Sequence, residues 1–522
     1  MNNRLSFPMT NAQLAYYMGR SQRYALGDTA AHVYYEFKNN LDADLLERAL
    51  NFAIRRHAML RTVFHDNGMQ QILEETAPYH IQRYDLSASD DAAWETFVSR
   101  KRAVLSHEKM NPEQWPLFRV EAAKTPNGST YLFFSFDLLI ADGSSLILVF
   151  RSIMDYYDAI ERGELPSVQP DLRFAEYAMW QNEIKQSEKY RRDRKYWESR
   201  AEDLCFAPDL LHTEAVPNKK QYKRLIHQIL PKQWEIIKQQ IRKNNEILTS
   251  VLFELYGEVL AYWSGDERFT IALTMSNRGA KRGRYLDVVG DFTSLMLLPY
   301  ENTAQTNIYS RAHQVTKELM AAYRHSSCDG FEVERIISRQ RKQQHENHFD
   351  IVFTSMLDES DANGMPMRIG RLMNSISQTP QVRLDCQLLE IENKLEITWD
   401  YLDGYYREEN MTLAFSQYIK MIERLAVSGQ RLVLSPDAKT AEAVRVYNVT
   451  KQPELPHASM IPIIENALKK FANKTAFKDS RRSVTFQELD IYSEVVKNAI
   501  LAEYPAGSHI AIKGNRSIST VI

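Results

Sequence analysis

The chain of 522 residues is 44 % hydrophobic and 25 % charged, the balance of a globular protein with room for about three domains of ~150 residues each. Its 65 basic and 67 acidic residues leave a net charge of −2, which excludes the basic footprint of a nucleic-acid-binding chain. Cys205, Cys328 and Cys386 lie far apart, so neither a disulfide framework nor a zinc site of familiar spacing is expected, and a reducing, cytoplasmic setting fits.

The opening "MNNRLSFPMT" has no charged segment followed by an apolar run, so no signal peptide is expected. After Asp42, a helix N-cap, Leu45, Ala49, Phe52 and Ala53 recur at helical spacing and predict an amphipathic helix to about Arg56. "RTVFH" and "MQQILEE" read as a hairpin around Asp66-Asn67-Gly68. The apolar run Tyr131 to Ala141 is broken by Asp137 and falls short of the ~20 residues that cross a bilayer, so no membrane span is expected. Its strand "YLFFSF" ends in the turn "DLLIADGSS", and a helix follows over Leu146 to Ile160, stopped near Gly163. The charged stretch Gln181 to Arg200 reads as one long exposed helix, and Pro208 to Pro217 as a connector.

The second half starts with a helix over Thr249 to Trp263 and the strand "RFTIALTMS". Later strands are Asp350 to Leu357, Val382 to Ile391 and Lys394 to Leu402, the last two joined by a turn at Glu392-Asn393. Helix and strand patterns alternate, which predicts an α/β or α+β architecture. From about Gly429 the prolines Pro436, Pro453 and Pro456 interrupt any apolar period and predict a linker, helical in part at its start. A helix, a hairpin-like pair, a second helix and a strand follow.

The turn after "YLFFSF" carries Asp137, Asp142 and Ser145 in the pattern Asp-x-x-x-x-Asp-x-x-Ser. This resembles the signature of heterocyclization domains of nonribosomal peptide synthetases. Those domains belong to the condensation-domain group, whose usual motif is His-His-x-x-x-Asp-Gly. Aligned on that motif, Asp137 stands at the first His, Leu138 at the second, and Asp142-Gly143 at the closing pair. The second His is the imidazole placed near the attacking amine, and leucine cannot move a proton. Six further segments match the same family in order: "FPMTNAQLAYYMGR", "RHAMLRTVFHDNGMQQ", "LTSVLFELYGEVLAYWS", "VGDFTS", "DIVFTS" and "SQTPQVRLDCQ". The resemblance runs from Phe7 to about Ser428. After the linker, "VTFQELD" is similar to the opening motif of an adenylation domain, without the phosphate-binding loop or catalytic Lys that adenylation needs.

The resemblance implies an α/β fold of two chloramphenicol-acetyltransferase-like lobes in a V-shaped pseudo-dimer, over residues 1–175 and 176–428. A linker over 429–456 and the truncated start of an adenylation domain over 457–522 would follow. It implies that upstream and downstream peptidyl carrier proteins present substrates on phosphopantetheine arms, that an adenylation domain adjoins, and that the chain itself holds no cofactor. The activity implied is amide formation onto a Cys, Ser or Thr acceptor, then cyclodehydration to a thiazoline or oxazoline. The alternatives are an ordinary condensation domain, which stops at the amide, and a non-catalytic docking domain.

The family's pattern assigns cyclodehydration to Asp385 and Thr354. On a period-2 strand Asp385 shares a face with Arg383 and Gln387, so the plain alternative is an ion pair of Asp385 with Arg383. Asp142 is expected to be scaffold, through an ion pair or a backbone anchor. Asp137 either does the same or lies nearer the substrate amine, and Ser145 is expected to cap the following helix. Gln13, Tyr16, Arg20 and Gln378 are candidates for the tunnel wall. His345 and His348 lack partners at metal-ligand spacing, and the basic "GAKRGR" from Gly279 to Arg284 reads as a solvated loop.

Overall fold

The computed structural model describes residues 5–24, 26–213, 217, 220–279, 283–303, 307–341, 349–357, 365–428, 434, 460–479 and 482–511. The chain forms two compact units, Met1–Leu434 and Ser435–Ile522.

Among the described residues the first unit has a small antiparallel sheet of three strands and two large mixed sheets. One has five strands in the order Arg371–Gln378, His32–Asn39, Thr130–Asp137, Phe118–Lys124 and Gln82–Asp85. Its first four strands run antiparallel, and the last pairs in parallel. Arg371–Gln378 belongs by sequence to the second half, so the expected division at 175/176 does not separate the sheets: this strand crosses to the first half's sheet and sets Gln378 opposite His32. The other sheet has six strands, ordered Thr293–Glu301, Arg268–Ser276, Ile351–Ser355, Leu384–Ile391, Lys394–Leu402 and Tyr222–Ile229. Ile351–Ser355 runs parallel to both of its neighbours.

Alternation decides which face of each strand meets the core. Along Leu384–Ile391, Leu384, Cys386 and Leu388 are buried in the apolar layer. Asp385 and Gln387 therefore point the other way. The run Thr130–Asp137 is buried on both faces, between the helix Gly143–Glu161 and a separate apolar cluster. The rings of Phe134 and Phe150 meet edge to face at 5.0 Å, which fixes that helix over the strand.

Several expected elements form as the sequence indicates. Asp42 caps the helix Ala43–Arg56 by accepting from the Asp44 and Leu45 N–H groups at 2.8 and 3.0 Å. Its buried stripe runs through Leu46, Ala49, Leu50 and Ala53, one position round from the expected Leu45. Thr62–Phe64 and Met69–Ile72 pair as the hairpin, with Gly68 at φ +77° in the left-handed conformation that the turn needs. The stretch 181–200 departs from expectation. Its helix ends at Ile184, and a new one, Glu188–Arg200, starts on Ser187, whose hydroxyl accepts from the Tyr190 N–H at 3.1 Å. This second helix buries Tyr190, Asp193 and Trp197. Asp193 lies inside because Lys189, His325 and Ser327 surround its carboxylate, so charge count alone gave the wrong face.

In the second unit, Ile461–Lys470 and Phe486–Glu503 are helices, and Thr475–Lys478 pairs antiparallel with Ser483–Thr485. Thr485 and Glu488 close a reciprocal capping box at the start of the second helix. The expected linker lies almost wholly outside the described residues, as do His345, His348, the centre of "GAKRGR" and most of the expected last strand. Among the described residues no helix is long and apolar enough to cross a membrane.

Candidate active site

A cavity of about 580 Å³ opens in the first unit, lined from both sheets and from the turn at residues 138–146. Strand register assembles its polar floor. Thr274 lies opposite Thr354, and Thr354 opposite Gln387. Asp385 lies two residues before Gln387 on the same strand face, so four polar side chains from three adjacent strands face one space.

Thr354 Oγ1 stands 3.1 Å from Asp385 Oδ1 and 3.1 Å from Thr274 Oγ1. A hydroxyl has one proton, so the chain has two consistent directions. With Asp385 ionised, Thr274 donates to Thr354, which donates to the carboxylate. With Asp385 neutral, the acid donates to Thr354, which donates to Thr274. The other carboxyl oxygen, Oδ2, accepts from the Gln387 amide at 2.6 Å. Gln387 is held in turn by Ser377 Oγ at 2.7 Å, beside the Arg224–Asp400 pair. Desolvation pushes the Asp385 carboxyl up to about 7, with the negative Asp400 adding to the rise and the Gln387 and Thr354 hydrogen bonds opposing it. The plain alternative is overturned: Arg383 pairs with Asp350, at 2.8 Å, and not with Asp385. Arg383 follows a different route because Asp350 precedes the neighbouring strand and meets its guanidinium there.

The Asp137–Ser145 turn is a structural clasp. Asp142 caps the helix Gly143–Glu161 by accepting from the Ser145 N–H at 2.7 Å. It also takes the Arg278 guanidinium at 2.6 Å and the Phe292 N–H at 3.1 Å. Ser145 is not the cap, contrary to expectation. Its hydroxyl donates to the Gly290 carbonyl at 2.6 Å and accepts from the Gly290 N–H at 2.9 Å, stitching the turn to the 288–292 segment. The buried Arg278 reaches the carbonyls of Tyr285 and Val288 as well, and lies over the Phe292 ring at 4.4 Å.

Asp137 is fully buried and does not line the cavity: the Arg20 guanidinium pairs with Oδ2, and the Leu139 N–H donates to Oδ1 at 3.1 Å. Of the four expected wall residues, Tyr16 lines the cavity and three are corrected. Gln13 is spent on the Leu139 carbonyl at 2.7 Å and on a capping box with Thr10, Arg20 on Asp137 and the Met110 carbonyl, and Gln378 on the Ala30 carbonyl at 3.2 Å. Leu138 does line it, as do Thr274 and Asp291. Thr274 and Arg278 carried no sequence signal beyond lying at the end of the strand "RFTIALTMS". Asp291 lay within the matched segment "VGDFTS".

Residues 7–440 match the family model described as "Condensation domain". Bacitracin synthase 1 of Bacillus licheniformis is 30% identical over 523 residues, covering 99% of this chain and 10% of that protein. Pyochelin synthetase PchF of Pseudomonas aeruginosa is 28% identical over 428 residues, covering 81% of this chain and 23% of the relative. The chain thus spans a tenth to a quarter of the length of these curated relatives. Among solved structures, the EpoB NRPS cyclization-docking bidomain from Sorangium cellulosum superposes with a TM-score of 0.74 at 28% identity, covering 82% of this chain and 86% of that one. The fold is the expected α/β arrangement of two chloramphenicol-acetyltransferase-like lobes.

Proposed function

The chain belongs to the condensation-domain family of nonribosomal peptide synthetases, and from that premise we propose that it forms an amide onto a carrier-bound Cys, Ser or Thr and then cyclises it to a thiazoline or oxazoline. The observation that carries this reading is the Thr354–Asp385 pair facing the cavity, in a chain whose turn bears Leu138 where a condensation motif has an imidazole. The likeness to the EpoB cyclization-docking bidomain supports it.

Ring closure needs protons moved in two directions at one carbon. As the acceptor's thiol or hydroxyl attacks the new amide carbonyl, neutral Asp385 protonates the carbonyl oxygen and then takes the proton of the nucleophile, so the acid is restored. Neutral Asp385 then protonates that hydroxyl, which departs as water, and the proton released from the amide nitrogen restores the acid. A carboxyl poised at about 7 can do both near neutral pH, and Thr354 can turn its hydroxyl to suit either state. Holding the nucleophile beside its own carbonyl supplies the rest, since a well-oriented intramolecular reaction can save about 7–11 kcal/mol of barrier. The two carrier arms would enter this cavity with their thioesters meeting above the pair. The second unit would be the start of an adenylation domain, as its "VTFQELD" segment and capped helix suggest.

The test is the mass of the product left on the acceptor carrier when both carriers are loaded, with Cys, Ser and Thr offered in turn. Amide mass less one water is expected. Amide retained in full would make the chain an ordinary condensation domain, and no product at all would make it a docking domain. Leu138→His is expected to change the rate by less than about tenfold, or ~1.4 kcal/mol of barrier, because ring closure does not pass through that position. A parallel rate measurement on the variant checks this.

A further inference from the structure

Among the described residues three aspartates line the cavity, and two are fully engaged by the protein. Asp142 is held by Arg278 and by the Ser145 and Phe292 N–H groups, and Asp385 by Thr354 and Gln387. Asp291 differs. It is 1% exposed, and its Oδ1 accepts from the Thr293 N–H at 3.0 Å, while Oδ2 has no hydrogen-bond partner among the described residues. A buried carboxyl oxygen without a donor is uncommon, and a bound group that supplies one is a frequent reason.

Its place narrows what that group is. Asp291 sits between Gly290, whose carbonyl accepts from the Asp142 N–H at 3.2 Å, and Phe292, whose N–H donates to the Asp142 carboxylate. It is therefore fastened beside the turn on which Leu138 occupies the position of the absent imidazole. Amide formation still needs an acceptor for the proton of the attacking amine, and Leu138 cannot be one.

We propose that Asp291 Oδ2 receives the N–H of the acceptor's amine and takes its proton as the amide forms, an inference that rests on the function proposed above. The amine nitrogen forms a bond to the thioester carbonyl carbon, the carbon–sulfur bond breaks, and Asp291 takes one proton from nitrogen. That proton is returned to the departing thiolate, which leaves as the thiol of the donor arm, so the carboxylate is regenerated. Burial pushes the Asp291 carboxyl up to about 7, against the pull of Thr293 and with Asp142 reinforcing the rise, which suits a proton acceptor for an amine.

Asp291→Asn keeps the size of the side chain and removes its basicity. With both carriers loaded, single-turnover amide formation is expected to fall about a hundredfold or more. Given a preformed N-acyl-cysteinyl carrier, the same variant is expected to close the ring within about threefold of the wild-type rate. Unchanged amide formation would overturn the proposal, as would an equal loss in both assays. Asp291→Ser is read the same way should circular dichroism show that the Asn variant does not fold. A wild-type protein that makes amide but no ring would overturn the heterocyclization reading and leave the amide assay of Asp291 intact.

Discussion

Asp385→Asn is expected to leave uncyclised amide on the acceptor carrier, with ring closure slowed about a hundred- to ten-thousand-fold. The asparagine preserves shape and still accepts from Gln387 or Thr354, so the cavity should keep its form. What it loses is the ability to take a proton and give it back. Product mass and a quench-flow time course measure this.

The same substitution should alter the stability curve in a predictable direction. Asp385 is held at about 7 in the folded chain, above its ordinary value of 3.8. Between those values the folded chain keeps a proton that the unfolded chain has released, so its contribution to stability falls as pH rises through the window and is lost above it. Asp385→Asn has no such slope. Relative to wild type it should therefore gain stability as pH rises through that window, with the full gain reached above about pH 7, which denaturant midpoints at pH ~5 and ~8 would show. A functional carboxyl that costs stability when ionised is the expected sign of a group placed for chemistry.

Arg278→Ala is expected to destabilise the first unit by roughly 3–5 kcal/mol, because it leaves Asp142 buried without its counter-charge. It also strips the Tyr285 and Val288 carbonyls of a donor and the Phe292 ring of its cation. Adding Asp142→Asn to Arg278→Ala should recover part of that loss, since the unpaired charge goes with it. Thermal unfolding of the two variants and the double variant measures the coupling. Equal stability of Arg278→Ala and wild type would mean that the turn is held by other contacts.

Much of this architecture was legible where a local rule governs. The period-2 alternation of Leu384, Asp385, Cys386 and Gln387 put the carboxyl and the amide on one face, and burial of Leu384 and Cys386 made it the cavity face. The Asp42 cap followed from local chemistry alone. The long-range partners were not legible. Arg278 and Asp142 are 136 residues apart and Arg20 and Asp137 are 117 apart, and no pattern in the sequence joins them. Thr274 entered the site only through the register of parallel strands. Ser145 was misjudged because Asp and Ser cap helices equally well, and Asp142, three residues earlier, takes that place. The crossing of Arg371–Gln378 to the other sheet was hidden for a similar reason, since strand order is set by tertiary packing and not by periodicity.

The most direct measurement is ring closure from a preformed N-acyl-cysteinyl carrier, followed by mass in single turnover across pH for wild type and Asp385→Asn. Expulsion of hydroxide is the harder step and needs the neutral acid, so the wild-type rate should fall as pH rises through about 7. The variant should be slow and flat. A variant that closes the ring at the wild-type rate, with the same pH profile, would contradict the assignment of proton transfer to Asp385 and Thr354.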